Sequence, residues 1–304
     1  MRTRRLGNTD LDLTTIGLGT WAIGGGDWGF AWGAQDEAES IRTIHDAIEL
    51  GINWIDTAPI YGMGTAETAV GKALAGVAER PIVATKCGRT WRPDRTIEPR
   101  IKRGSIKREC EESLSRLGID VIDLYQIHWP EPEADVEEAW DAVCELKAEG
   151  KIRWCGVSNF SVAHLERVHR ASPVASLQPP YSMLRRDVEE DVLPWCAQHG
   201  VGVVAYSPMQ KGLLTGKMTA ERVASLPEDD HRRRDPMFLG DRLSHANEMA
   251  AQLAKLGEPY GLGAAAASVA WVLRRPEVTS AIVGARRPGQ LAEIVRASDV
   301  DLTT

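Results

Sequence analysis

Residues 121–158, VIDLYQIHWPEPEADVEEAWDAVCELKAEGKIRWCGVS, decide the fold class. The run 121–128 is short and apolar, 136–147 has the spacing of an amphipathic helix, and a second apolar run follows at 152–158. Gly150 stands between the helix and the second run, where a left-handed C-cap is expected. A strand, a helix and another strand in this order are typical of a parallel sheet.

The same alternation extends along the whole chain. Apolar runs predict eight strands, at 16–20, 53–57, 81–86, 121–128, 152–158, 174–178, 201–207 and 278–284. Helical patterns lie between them, at 38–50, 66–75, 106–117, 136–147, 162–171 and 188–199. Gly51, Gly118 and Gly200 follow three of these helices as Gly150 does. We therefore expect an α/β fold, a single-domain (β/α)8 TIM barrel over residues 1–304.

Two segments interrupt the alternation. Before the first strand, two short runs flank Gly7-Asn8-Thr9-Asp10, which predicts an N-terminal β-hairpin that plugs one end of the barrel. After the seventh strand, residues 206–241 form a long polar loop with a charge cluster at 228–235. Long loops inside compact domains are usually lids or mobile segments, and a solvated surface loop is the alternative for the charge cluster.

Composition excludes several classes of protein. The formal net charge is -7 over 304 residues, so no broad basic face for nucleic acid or an anionic membrane is expected. No apolar run approaches the roughly 20 residues that span a bilayer, and residues 1–10 lack the apolar core of a secretory leader. The five cysteines form no C-x-x-C pair, which argues against a disulfide framework or zinc site and favours the cytoplasm.

Ionisable residues stand at the ends of three successive predicted strands. Asp56 ends the second strand, Lys86 the third and His128 the fourth. Active sites of TIM barrels lie at this end of the strands, so the three side chains should meet at the barrel mouth. Tyr61 follows Asp56 closely, and an adjacent ammonium would lower the pKa of its phenol and suit it to act as a general acid. A neutral His128 would hold a carbonyl oxygen against the phenol.

These residues alone leave the reaction open. They favour proton delivery to a developing alkoxide, but a Schiff-base mechanism with Lys86 as nucleophile is a rival, although Asp56 would keep the lysine charged. A metal site is not favoured, because the first strand has no histidine and no His-Glu-x-x-His occurs. Gly17-Leu18-Gly19 lacks the third glycine of a dinucleotide-binding fingerprint, so no nucleotide is indicated by spacing alone.

Longer blocks of the sequence resemble the aldo-keto reductases over essentially the whole chain. The blocks are GLGTW at 17–21, GINWIDTA at 51–58 with YG at 61–62, ATK at 84–86, LYQIHWP at 124–130, GKIRWCGVSNF at 150–160, QPPY at 178–181, YSP at 206–208 and KGLLTGK at 211–217. The last two blocks are similar to those of bacterial general reductases and of potassium-channel β-subunits.

The resemblance implies reduction of aldehydes and ketones to alcohols, with hydride transfer from the nicotinamide C4 of NAD(P)H. Tyr61 would protonate the oxygen, Lys86 and Asp56 would tune Tyr61, and His128 would orient the carbonyl. The residues implied in cofactor binding are Thr20, Trp21, Asp56, Ser158, Asn159, Gln178, Tyr206, Ser207, Pro208, Gly212, Leu213, Gly216, Lys217, Gly284, Arg286, Gln290 and Glu293.

Within that set, the resemblance divides the roles by position. The carboxamide would be held by Ser158, Asn159 and Gln178, and the nicotinamide ring would stack on Tyr206. The pyrophosphate would lie along Ser207, Gly212 and Leu213.

The sequence departs from the family where the adenosine 2′-phosphate binds. Many members carry a Lys-Ser or Lys-Thr pair, a later Arg and then Glu-Asn, whereas the matching positions here read Gly284-Ala285, Gln290, Glu293 and Ile294. Arg286 is expected to supply the missing cation, so NADPH is preferred and NADH is the second choice. A helix is expected to open after 282–288, with its N-terminus, Arg286 and Arg287 receiving a phosphate.

Aromatic residues are expected to line the substrate pocket. The predicted set is Trp21, Trp28, Trp32, Tyr61, His128 and Trp129, although Trp28 and Trp32 fit packing within their own glycine-rich loop equally well. Such walls favour apolar or planar carbonyl compounds. Many relatives carry a tail beyond the position where this chain ends, so a more open pocket is expected, and the final threonines could cap a further helix.

The rival from another class is a nucleotide-sensing regulatory subunit resembling the channel β-subunits, which keep the barrel and the cofactor but act through a partner. About 15 residues precede the first predicted strand and none resembles their extended N-terminal segment, so an enzyme acting on a small carbonyl compound is expected. The physiological substrate and the oligomeric state stay open.

Overall fold

The computed structural model describes residues 1–302 and folds them around a closed barrel. The strands are β1 (Thr3–Arg5), β2 (Asp12–Thr14), β3 (Ile16–Gly19), β4 (Trp54–Asp56), β5 (Ile82–Cys87), β6 (Arg89–Trp91), β7 (Ile97–Pro99), β8 (Ile122–Ile127), β9 (Ile152–Ser158), β10 (Ser176–Gln178), β11 (Gly202–Tyr206) and β12 (Val278–Gly284). The helices are α1 (Glu37–Glu49), α2 (Thr65–Leu74), α3 (Arg103–Leu117), α4 (Val136–Ala148), α5 (Val162–Ala171), α6 (Val192–His199), α7 (Ala220–Ala224), α8 (Gly240–Gly257) and α9 (Ala264–Leu273).

Eight of these strands form the barrel wall, and all of their pairings are parallel. They follow one another around the barrel in the order β3, β4, β5, β8, β9, β10, β11 and β12, and β12 closes on β3. Apolar side chains of α1–α6 and α9 pack against the outside of this wall in one continuous core. The predicted (β/α)8 barrel is confirmed, and the observed strands overlap all eight predicted ones.

The N-terminal hairpin closes the end of the barrel where the strands begin, as predicted. β1 and β2 pair antiparallel, and Leu6, Leu11 and Leu13 of the hairpin pack on Trp54 inside the barrel floor. Gly7 has φ +50°, and a Cβ there would lie 2.5 Å from the carbonyl oxygen of Gly200. Only glycine allows the hairpin to approach the wall so closely.

The long segment after β11 is better ordered than the predicted polar loop. It contains α7 and short 3₁₀ turns, and it has its own apolar core around Leu213, Met218 and Phe238. Part of its charge cluster turns inward: Arg232 pairs with Asp230, which is fully buried. The interpretation of the cluster as a solvated surface loop is therefore wrong for this pair.

Other differences from the sequence predictions have local causes. The helix expected at 188–199 begins only at Val192, where Pro194 falls in the first turn and costs no backbone hydrogen bond. The helix expected to open after 282–288 is not formed, because residues 285–293 make turns and a 3₁₀ helix starts at Ile294. There the Gln290 side chain accepts hydrogen bonds from the backbone N–H groups of Arg286 and Arg287. The expected cap at Thr303 or Thr304 lies outside the described residues.

The β6–β7 hairpin and the helices α8 and α9 were also outside the predictions. In α9 the sequence AAAASVAWVL buries most of its residues on every side, so it has no polar face to reveal a helical period. Among residues 1–302, no helix combines the length and apolarity that crossing a bilayer requires.

Candidate active site

A buried ion pair joins the ends of β4 and β5 at the barrel mouth. The Lys86 ammonium donates to both carboxylate oxygens of Asp56 at 2.8 Å and to the carbonyl of Thr57 at 2.9 Å. Lys86 is fully buried and Asp56 is 3% exposed. The two strands are neighbours in the barrel, so their register brings the side chains together as predicted. The side-chain amide of Gln178 donates to the same carboxylate at 2.8 Å.

Tyr61 lies beside this pair, in the loop that follows β4. The Lys86 ammonium lies 3.3 Å from the Tyr61 hydroxyl oxygen. Gly62 fixes the loop, because its φ is +65° and a Cβ there would lie 1.8 Å from the carbonyl oxygen of Gly24. The predicted meeting of ammonium, carboxylate and phenol is therefore present.

The ionisation of Tyr61 differs from the prediction. Burial, followed by the negative charge of Asp56, raises the pKa of the phenol well above its usual value. The expected lowering by Lys86 is wrong for this state, because Asp56 offsets the ammonium charge and burial disfavours the charged phenolate. Burial also lowers the pKa of Lys86, while Asp56 opposes that effect. Tyr61 therefore holds its proton firmly at neutral pH.

His128 follows β8 and faces Tyr61. Its ring stands edge-on to the tyrosine ring, with 5.9 Å between centroids. Burial, the charge of Lys86 and then the charge of Arg89 hold the pKa of His128 well below its usual value. The imidazole is neutral at physiological pH, as predicted, with burial as the larger cause.

A row of polar groups continues from these residues along the ends of β9, β10 and β11. The Ser158 hydroxyl donates to the backbone carbonyl of Gln178 at 2.8 Å, and the Tyr206 hydroxyl donates to the Asn159 side-chain oxygen at 2.9 Å. Asn159 in turn donates to the carbonyl of His128 at 3.0 Å. The row is thus hydrogen-bonded to the groups around Tyr61.

A cavity of about 1250 Å³ opens above these groups. The predicted residues that line it are Trp21, Trp28, Trp32, Asp56, Tyr61, His128, Trp129, Ser158, Asn159, Gln178, Tyr206, Ser207, Pro208, Gly212, Lys217, Gly284, Arg286, Gln290 and Glu293. Lys86 lies behind Tyr61 instead of on the cavity wall. Thr20, Leu213 and Gly216 also do not line it, because Thr20 bonds the Asp56 backbone and Leu213 packs inside the long loop.

Aromatic rings form the roof over Tyr61. Trp21 stacks between Tyr61 and His231, with centroid distances of 6.5 and 5.1 Å, and Trp32 meets Trp21 edge-on at 5.3 Å. The backbone N–H and Nδ1 of His231 both contact the carbonyl oxygen of Ala31. The long loop is thereby attached to the glycine-rich loop, and sequence patterns gave no signal for His231 as a contact.

Cations surround the cavity where the long loop and the end of β12 meet. Lys217, Arg222 and Arg287 line it, and none makes an ion pair within the described part of the chain. Arg286 is engaged differently, because its guanidinium donates to the Gln35 side chain and to the carbonyls of Trp32, Gly33 and Ala34. It thus clamps the loop at 32–35.

The backbone before Lys217 has an unusual shape. Ser207, Gln210, Lys211 and Gly212 all have positive φ, at 56°, 45°, 56° and 98°. Turns with left-handed residues form concave surfaces in which backbone N–H groups bind anions. Within residues 1–302 no group of three His, Cys, Asp or Glu side chains is placed to hold a metal ion.

Comparison with known proteins identifies the family of the chain. The model of the "Aldo/keto reductase family" matches residues 15–304. The chain belongs to the aldo/keto reductase family. It is 41% identical over 289 residues to aldo-keto reductase YhdN of Bacillus subtilis (strain 168), an alignment that covers 94% of this chain and 85% of that protein. It is 36% identical over 312 residues to the NADH-specific methylglyoxal reductase of Escherichia coli (strain K12), covering 98% and 94%.

A solved structure agrees in fold over the same extent. The glycerol dehydrogenase AKR11B4 from Gluconobacter oxydans superposes with a TM-score of 0.89 at 38% identity, covering 99% of this chain and 91% of that one. The family resemblance inferred from the sequence blocks is confirmed.

Proposed function

We propose that this protein reduces aldehydes and ketones to alcohols with NAD(P)H, and that Tyr61 delivers the proton. The observation that carries the proposal is the Lys86 ammonium placed 2.8 Å from Asp56 and 3.3 Å from the Tyr61 hydroxyl at the cavity wall. A bound nicotinamide would supply the hydride to the carbonyl carbon. The carbonyl oxygen then becomes negatively charged, so it needs a proton donor, and the carbonyl group must be held in a fixed position.

The donor set in the cavity fits a dinucleotide. Ser158, Asn159 and Gln178 offer the amide and hydroxyl groups that a carboxamide needs, next to Tyr61. The left-handed turn offers backbone N–H groups for a diphosphate, and Lys217 and Arg222 on the same long loop offer cations. The volume of about 1250 Å³ exceeds the roughly 300–1,000 Å³ of ordinary ligand pockets, which leaves room for a second molecule.

The chain's own groups divide the chemistry between them. Tyr61 holds its proton at neutral pH, so it can donate that proton to an alkoxide as the alkoxide forms. Lys86 stabilises the phenolate that is left, and Asp56 keeps the ammonium in place. Neutral His128 is a hydrogen-bond donor on the opposite side of the carbonyl oxygen and adds no full charge.

Consumption of NADPH and NADH absorbance with a panel of short aldehydes, ketones and sugars tests the proposal. Turnover of at least one class, with one alcohol formed per cofactor oxidised, is the expected result. Tight cofactor binding without turnover on every compound would instead favour the nucleotide-sensing regulatory role. Borohydride trapping of substrate on Lys86 would point to Schiff-base chemistry, and we expect none.

We also propose that the chain acts as a single domain in the cytoplasm. The proposal further includes a preference for NADPH over NADH. A relative is named as NADH-specific, so family membership alone leaves the preference open. Since Arg286 is bound to the loop at 32–35, the neighbouring Arg287, exposed and without an ion pair in residues 1–302, carries the available charge. KM values for both cofactors should be compared in the wild type, Arg286→Ala and Arg287→Ala. A wild-type KM for NADPH no lower than that for NADH would contradict the preference, and an unchanged ratio in both variants would contradict its assignment to these arginines.

A further inference from the structure

Arg89 is a cavity residue that the proposed chemistry does not use. It begins β6, directly after β5 and Gly88, and the N–H of Gly88 donates to the buried carboxylate of Glu109 at 2.8 Å. The neighbouring carbonyl, that of Cys87, accepts the backbone N–H of His128 at 3.0 Å. The arginine side chain is 16% exposed and lines the same cavity as His128. The backbone of Arg89 is therefore held on the cavity wall next to His128.

Two contacts hold the guanidinium in place. Its Nη2 donates to Glu131 at 2.7 Å, and its Cζ lies 5.6 Å from the ring centroid of Trp129. A guanidinium carries five N–H donors. Over the described chain, residues 1–302, no hydrogen bond uses its Nε or Nη1. Arg89 is thus a positioned cation with donors left for a ligand.

The surroundings make that cation effective. Ile60, Ile97 and Trp129 line the cavity near it, so an anion there would exchange bulk water for a largely apolar wall. Charge pairing is stronger in such a medium than in water. The cations on the long loop are assigned above to the cofactor diphosphate and Arg287, after β12, to the NADPH preference, which leaves Arg89 to the carbonyl compound.

We propose that Arg89 selects carbonyl substrates that also carry an anionic oxygen group, either a carboxylate or a phosphate ester. This inference rests on the proposed function, because the carbonyl is the group held between Tyr61 and His128. Glu131 occupies one N–H of Nη2, so the second N–H of Nη2 and the adjacent free N–H, of Nε or Nη1, form an edge of the guanidinium that would bind two oxygens of the anion side by side. The aromatic walls remain available for the rest of the molecule.

Matched pairs of aldehydes test the inference. Para-carboxybenzaldehyde is compared with its methyl ester, and glyceraldehyde phosphate with glyceraldehyde, so that the two arms distinguish a carboxylate from a phosphate. kcat/KM is measured for the wild type, Arg89→Leu, Arg89→Lys and Arg92→Leu. Arg92 lies on the same hairpin and pairs with Glu98, but it does not line the cavity.

The charged member of at least one pair should be the better wild-type substrate. Arg89→Leu should lower its kcat/KM about ten- to a hundredfold, as expected for loss of a hydrogen bond to a charged group. The neutral member should change less than about threefold, which also shows that the variant is folded. Arg89→Lys should retain part of the selectivity, and Arg92→Leu should match the wild type.

Three results would overturn the inference. They are a wild type without preference for either charged member, an equal loss for charged and neutral members in Arg89→Leu, and the same loss of selectivity in Arg92→Leu. Failure of the wild type on the whole carbonyl panel as well as on these four aldehydes, with cofactor still bound, would instead contradict the proposed function itself.

Discussion

The two ends of the barrel each bury a carboxylate against cations, but they do so in different ways. At the floor Asp123 is 2% exposed and pairs with Arg80 and Arg153, whose side chains are 35% and 40% exposed. At the mouth Asp56 pairs with Lys86, and neither partner reaches solvent to a comparable degree. The two arginines at the floor thus remain partly hydrated, whereas Asp56 and Lys86 at the mouth are almost completely desolvated.

What lies beyond each carboxylate explains the difference. The floor is covered by the hairpin leucines, and Asp123 also accepts the backbone N–H of Val83 at 2.9 Å, so its oxygens are fully used within the protein. The mouth opens into the cavity, and Tyr61 and His128 line its wall. Burial of charge at the floor supports the fold, whereas under the proposed function burial of charge at the mouth serves catalysis.

Removing the mouth cation should have the largest effect. Lys86→Met leaves Asp56 buried with the Gln178 amide as a remaining donor, which we expect to cost about 3–5 kcal/mol of unfolding free energy. Turnover should fall by more than about a hundredfold, because Tyr61 loses the charge that stabilises its phenolate. Urea unfolding and initial rates with one aldehyde measure the two effects.

The matched floor variant is Asp123→Asn. It should cost only about 1–2 kcal/mol, because both arginine partners are already partly hydrated and the amide oxygen still accepts from Val83. Its kcat should equal that of the wild type. A lost kcat in Asp123→Asn, or an unchanged kcat in Lys86→Met, would remove the distinction between the two ends.

A pH experiment sharpens the comparison with a carboxyl group under the mouth. Glu109 accepts from Gly88 and Ser105, and burial raises its pKa from 4.5 to about 7. The folded state keeps this proton over a range in which the unfolded chain has lost it. Stability should therefore fall as pH rises from 4.5 to about 7, by about 3 kcal/mol from this group.

Glu109→Gln should remove that part of the pH dependence, because an amide does not titrate and can still accept from the Gly88 N–H. Glu111→Gln, on the same helix and ion-paired with Lys151 at the surface, is the control and should keep the wild-type slope. Denaturant unfolding at several pH values gives both slopes. Parallel slopes for all three proteins would show that Glu109 does not titrate in this window.

A final prediction concerns the hairpin plug, where we expect an effect on stability alone. Leu11→Ala truncates a side chain that is 1% exposed. It should lower the unfolding free energy by about 2 kcal/mol, because the N-terminal hairpin can shift and partly fill the void that the truncation leaves. KM and kcat should not change. Thermal unfolding and steady-state kinetics decide, and a changed KM would mean that the floor communicates with the mouth.

The fold could be predicted largely because each barrel unit carries its signal locally. Strands such as β8 are short apolar runs, and glycines such as Gly118 and Gly200 end the preceding helices in left-handed conformation. The helix α9 escapes the same approach because burial on all sides removes its period. The expected helix after β12 is wrong because a side chain, that of Gln290, binds the backbone N–H groups locally.

The sequence predicts which side chains meet at the barrel mouth, but it does not predict the pKa of Tyr61. Strand ends of a barrel converge, so Asp56, Lys86 and His128 could be placed together from their positions alone. The pKa of Tyr61 depends on how deeply the phenol is buried and on how close it lies to the charge of Asp56. Only the three-dimensional packing determines both. For the same reason Arg286 looks like a free cation in the sequence, but it binds the carbonyls of the loop at 32–35.

The central claim is that the Tyr61 hydroxyl delivers the proton during carbonyl reduction. Tyr61→Phe removes that one oxygen and leaves the ring in place, so kcat with an aldehyde and the Kd for NADPH, measured by fluorescence titration, test the claim most directly. We predict that kcat falls by about 10²–10⁴-fold while the Kd for NADPH stays within about twofold of the wild type. A variant that keeps its kcat, or one that loses cofactor binding along with it, would contradict the account.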